Sequence, residues 1–127
     1  MKTKISFLIL LFCCFSAFAQ SKTVIDDKSV YKLIPTTNMF TLLKLDTSIG
    51  QIFQVQFDIQ GNDRTEFIVN PTNLVNDADI YPGRFELYPT QNMYNFILLD
   101  KKDGRIWQAQ WSTNSQNRGI VSIKTIK

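Results

Sequence analysis

The sequence predicts an all-β protein made of two copies of one antiparallel unit. Three observations lead there: an internal repeat at a constant offset of 54, period-two alternation in short runs, and Pro, Asn, Asp and Gly at the breaks between runs. Laid over each other without gaps, residues 31–57 and 85–111 share eleven identities. They are Leu33/Leu87, Pro35/Pro89, Thr36/Thr90, Asn38/Asn92, Met39/Met93, Leu45/Leu99, Asp46/Asp100, Gly50/Gly104, Ile52/Ile106, Gln54/Gln108 and Gln56/Gln110. The same offset pairs Arg64 with Arg118 and the run 67–69 with 121–123. Repeat 1 (about 31–69) and repeat 2 (about 85–123), joined by a linker at 70–84, each read as a four-stranded meander.

The first strands are Tyr31–Ile34 and Phe85–Tyr88, stopped by Pro-Thr-x-Asn, because proline lacks a ladder donor and Asn favours a turn. The second are Met39–Leu45 and Met93–Leu99, apolar at nearly every position in the second copy, so cover on both faces is expected. Asp46 to Gly50 and Asp100 to Gly104 follow as tight connections, with Asp accepting the turn's own amides and Gly supplying a positive φ. The third strands, in Gln51–Phe57 and Arg105–Trp111, alternate strictly. The fourth are Thr65–Val69 and Gly119–Ile123, and the linker leaves room for one helical turn within Leu74–Ile80. A lone meander leaves an apolar face wet, so the two are expected to combine in a pseudo-twofold relation. An eight-stranded barrel and a two-sheet sandwich both satisfy that; removal of exposed edges favours the barrel.

Lys2 and Lys4 precede an apolar run from Ile5 to Phe18, and Ala17-Phe18-Ala19 follows the small-x-small rule, so residues 1–19 read as a cleaved signal peptide. The run is shorter than the roughly 20 residues of a membrane span. Lipidation at Cys13 or Cys14 is the rival reading, opposed by Phe12 or Cys13 in the preceding position, where a small residue is wanted. A periplasmic or extracellular location with no membrane insertion after cleavage is expected. Residues 20–127 form a single domain by length, and neither cysteine falls in it. Twelve basic residues against 11 acidic ones there give no electrostatic case for nucleic acid.

The chain has no His, which excludes Ser-His-Asp and Cys-His chemistry and the usual zinc sites. No phosphate loop, dinucleotide fingerprint or Ca²⁺ loop is present, and no metal or cofactor is expected. Asp46 and Asp100 could form a carboxylate pair of glycosidase type, but each sits where a hairpin wants Asp. Asp77 and Asp79 are too few for a cation site and read as solvated linker. Tyr81 and Tyr88, beside prolines, read as packing. In the third strands Phe53, Phe57, Trp107 and Trp111 share one side and Gln54, Gln56, Gln108 and Gln110 the other. Aromatics in the core and glutamines in water is the plain reading. The functional one makes Gln54, Gln56, Gln108 and Gln110, with Trp107 and Trp111, a surface for a polar ligand such as a glycan, since water-facing positions should drift between repeats and these did not.

The stretch Leu98-Leu-Asp-Lys-Lys-Asp-Gly-Arg-Ile-Trp107 and its first copy from Leu45, with Tyr88-Pro-Thr-Gln-Asn-Met-Tyr94, resemble small secreted bacterial proteins of uncharacterised role. Such proteins carry a duplicated Leu-Leu-Asp-x-x-x-Gly-x-x-(Trp/Phe)-Gln-x-Gln hairpin, and the resemblance implies no activity. The expected function is therefore a non-catalytic exported β-protein that binds a macromolecular partner, protein or glycan, or a polar ligand. An inhibitor or immunity protein against a lytic enzyme or toxin, and a carboxylate-dependent glycoside hydrolase, are the alternatives.

Overall fold

The computed structural model describes residues 28–127, so the expected leader lies outside the described residues. The strands are β1 (Tyr31–Pro35), β2 (Thr41–Asp46), β3 (Ile52–Gln56), β4 (Thr65–Asn70), β5 (Phe85–Pro89), β6 (Asn95–Asp100), β7 (Ile106–Gln110) and β8 (Gly119–Ile123). They form two separate antiparallel sheets, ordered β1-β2-β3-β4 and β5-β6-β7-β8. The duplication holds down to single hydrogen bonds. Thr36 and Thr90 each donate through Oγ1 to carbonyls two and five residues on. Asp46 and Asp100 each accept the amide two residues on, from Ser48 and Lys102, and each turn closes on a Gly with φ near +80°. The Asp of the hairpin thus has the turn role expected of it.

Two expectations about assembly change. The sheets do not close into a barrel; the arrangement is the two-sheet sandwich. No strand of one sheet ladders with the other, and the chain bridges them at Thr47. The Thr47 amide donates to Val30 O (2.7 Å), its carbonyl accepts from Phe85 N (2.7 Å), and its hydroxyl accepts from Gly83 N (2.9 Å). Nor does the linker form a helical turn. Asn73 and Asp77 take the amides of Val75 and Asp79 with their side chains, and Leu74 N is bound to Ile49 O, so helical partners are pre-empted. The single described helix is a short 3₁₀ turn, Ser115–Asn117, capped by Asn114.

The faces that meet are not equivalent ones. In the first sheet Leu43, Leu45, Ile52 and Gln54 are buried, while their counterparts Ile97, Leu99, Ile106 and Gln108 lie on the outer side of the second. The second sheet buries Phe85, Leu87, Phe96, Leu98, Trp107 and Ala109 instead. A twofold would bury the same face from both copies; here the glutamine face of repeat 1 packs on the aromatic face of repeat 2. The reading of aromatics inward and glutamines outward therefore holds for repeat 2 and is reversed in repeat 1, where Gln54 is buried and Phe57 exposed. For the same reason β6 is fully buried at alternate positions only, not on both faces.

This stacking gives equivalent glycines different surroundings. A Cβ on Gly50 would lie 2.9 Å from Leu74 Cδ1 and 3.1 Å from the Phe85 ring, whereas one on Gly104 meets nothing within 4 Å. Both substitutions strain a left-handed φ, for about 1 kcal/mol. Gly50→Ala is expected to cost about 1–3 kcal/mol more than Gly104→Ala, through overpacking. Urea unfolding in dilute solution, followed by the fluorescence of Trp107 and Trp111, measures the difference, and equal costs would contradict the stacking.

Candidate functional site

Two places in the molecule concentrate polar chemistry. The first is a cleft of about 540 Å³ where the ends of β2, β3 and β4 meet the segment after β7, lined by Phe40, Gln54, Gln56, Phe57, Asp58, Asp63, Thr65, Phe67 and Thr113. Strand alternation puts Gln54 and Gln56 on the covered face beside Phe67, the cross-strand neighbour of Gln54. Phe40 and Phe57 meet edge to face, with ring centres 5.8 Å apart, at the cleft's rim. Phe67 carries the Arg118 guanidinium 4.2 Å above its ring centre, and Arg118 Nε is itself tied to Ser112 O (2.8 Å).

Gln54 is fully buried. Its Oε1 accepts from Ser112 N at 3.1 Å, which orients the amide, because only the oxygen can accept from that N–H. Nε2 is then directed away from Ser112. Among the described residues it is the one buried side-chain polar atom without a hydrogen-bond partner. Gln56 differs: its Nε2 donates to Thr41 Oγ1 at 2.8 Å.

The other expected ligand residues are not brought to this cleft. Trp107 and Trp111 are buried in the core, and Trp111 Nε1 donates to Met93 O at 2.7 Å. Gln108 and Gln110 line a smaller groove on the outer face of the second sheet, bound to Asn95 Oδ1 and Asn117 O. Phe40, Phe67, Asp58 and Asp63 were not singled out from the sequence. Phe67 belongs to a run with a counterpart at 121–123, but no spacing rule brings it beside Gln54.

The second place is an ionic knot at the opposite end of the hairpins. Arg84 is fully buried and all its N–H groups are used. Nε and Nη2 grip the Asp100 carboxylate at 2.9 and 2.8 Å, and Nη1 reaches Asp77 Oδ1 (2.8 Å) and Asp79 O (2.7 Å). Lys102 bridges Asp77 and Asp79, and Arg105 Nη2 adds a bond to Asp100 at 3.1 Å. Asp77 and Asp79 are thus ion-paired within the chain, not merely solvated. Among the described residues no guanidinium reaches Asp46; its Oδ1 accepts from the Ser48 amide and hydroxyl. Burial would push the Asp100 carboxyl up, but bonds from Arg84, Lys102 N and Arg105 outweigh it and hold the pKa at about 2, against an ordinary 3.8. Hydrogen bonds from Arg84 first, then from Asp79 N and Lys102, hold Asp77 well below the usual carboxylate range.

Models of protein families, curated proteins and solved structures were compared with the chain, and none matches.

The knot makes stability pH-dependent with a definite sign. A carboxylate whose folded pKa is depressed stabilises the fold above its unfolded value and loses that contribution as pH falls through the folded one. The urea midpoint is expected to fall between about pH 4 and about pH 2, and Asp100→Asn to flatten that fall. At neutral pH, Arg84→Met is expected to cost about 3 kcal/mol, the lower end for breaking a buried pair, because Arg105 still reaches Asp100. A loss below about 1 kcal/mol would reduce the knot to a surface ion pair.

Proposed function

We propose that this chain is a non-catalytic binding protein whose cleft at Gln54 takes a polar ring ligand of the saccharide class. The observation that carries the reading is Gln54, a residue of the cleft wall whose buried Nε2 has no acceptor of its own. Such a group costs about 1–3 kcal/mol unsatisfied, and a ligand oxygen recovers it. The remaining walls suit the same class. Phe40, Phe57 and Phe67 offer ring surface to the C–H face of a sugar, and Asp58 and Asp63 offer acceptors to its hydroxyls. Export through the leader would deliver the cleft to the compartment where glycans are met.

The hydrolase alternative built on Asp46 and Asp100 receives less support. Asp46 and Asp100 do not line the cleft, and both serve their own turns, with Asp100 further held by two guanidiniums. A glycosidase needs two carboxyls facing one bond across about 5–10 Å.

Titration of isotopically labelled protein with a panel of neutral and amino sugars, read by NMR, is expected to move the Gln54 side-chain amide and the Ser112 and Thr113 amides. Gln54→Met keeps the side chain's length and removes the donor together with the acceptor of the Ser112 amide; it is expected to weaken the best ligand about tenfold, as is Phe40→Leu. The reading fails if no sugar shifts these signals, or if both variants bind as the parent does.

A further inference from the structure

We propose that copies of this chain assemble head to tail into a closed ring, the outer glutamine face of repeat 2 in one copy seating on the outer aromatic face of repeat 1 in the next. The template is the junction inside the chain, where the glutamine face of one repeat already packs on the aromatic face of the other. Because the faces used are opposite ones, the described residues of each chain leave one uncovered face of each kind. This inference does not depend on the saccharide reading.

Both uncovered faces keep the composition of a buried one. On the outer side of the first sheet lie Tyr31, Leu33, Leu42, Phe53, Val55 and Ile68; its charges, Lys44 and Glu66, are paired, with the ammonium 4.7 Å from the Phe53 ring centre. On the outer side of the second lie Tyr88, Ile97, Leu99, Ile106, Val121 and Ile123; its charge, Glu86, is paired with Lys101. Leu33 is 61% exposed where its counterpart Leu87, inside the junction, is 5% exposed. Ile123 is 42% exposed where Val69 is 6%. Contiguous apolar faces of this kind mark interaction surfaces. Gln108 has the position from which Gln54 accepts the Ser112 amide, and the residue 54 before Ser112 is Asp58, whose amide in the next copy meets Gln108 by the same geometry. Repeating one heterologous junction generates a ring when the rotation closes. Rings of radially stacked four-stranded sheets close at about four to eight sheets, so with two sheets per chain about two to four copies are expected.

Sedimentation equilibrium of the purified protein is expected to give one discrete mass of about two to four chains. Leu33→Glu and Ile123→Glu each place a charge on one of the two faces at a position that a single chain leaves open, so both variants are expected to stay folded by circular dichroism and to sediment as single chains. Mixed together, each supplies the face the other lacks, and a 1:1 heterodimer is expected. A parent protein that sediments as a single chain or as an unlimited polymer overturns the proposal. So does an assembly dispersed by only one of the two substitutions, which means like faces pairing, or a mixture that forms no heterodimer.

Discussion

The sense in which the second sheet lies on the first hangs on the few hydrogen bonds around Thr47. Its amide holds the start of repeat 1 through Val30 O, and its carbonyl and hydroxyl hold the start of repeat 2 through Phe85 N and Gly83 N. Position 101, its equivalent, is a lysine, whose amide keeps the first of these bonds, to Arg84 O, but whose side chain offers no hydroxyl. Repeat 2 is thus led off the end of the first hairpin and laid over the sheet in the same orientation. Two identical sheets stacked in one orientation must meet front to back, and the burial of Gln54 and the exposure of Gln108 follow from that.

Around this joint the molecule divides its polar groups between two ends. At one, the Asp100 and Asp77 carboxylates and the Asp79 carbonyl saturate a buried guanidinium, leaving no N–H of Arg84 over. A fully used charge cluster makes a fixed corner and a poor binding site, since any ligand would have to displace existing bonds. At the other, the Gln54 amide is half used, with aromatic rings and carboxylates facing open space. Sites and structural corners differ in this accounting of donors and acceptors more than in which residue types they contain.

Strand positions were legible in the sequence because each depends on neighbours within a few residues. Asp46 and Gly50 define their turn locally, and β3 alternates with period two whatever lies above it. Strand limits came within one or two residues, the larger differences being at Met39 and Met93, which stay in the turns before β2 and β6. The linker's Asx turns at Asn73 and Asp77 were harder to read, because those side chains and the tether from Leu74 N to Ile49 O displace a turn that composition alone permits. Of the cleft, Gln54 and Gln56 were singled out by their repetition, but Phe40, Phe67 and Asp63 come from separate elements and gave no joint signal. Gln108 gave the same signal as Gln54 and has a different environment.

By itself the sequence determined that the chain is all β, that it is a duplicated four-strand meander, and that each hairpin is closed by an Asp and a Gly; local sterics and turn hydrogen bonds suffice for all three. Which face of each meander is inside was decided only in the tertiary structure. In a two-faced strand such as β2 or β6, with leucines on both sides, periodicity identifies two possible cores and cannot choose between them. The choice falls to the contacts of Thr47, Gly50 and Gln54 with residues 24 to 58 positions further along the chain. These contacts make one glutamine of an identical pair a wall of the cleft and leave the other on an open face.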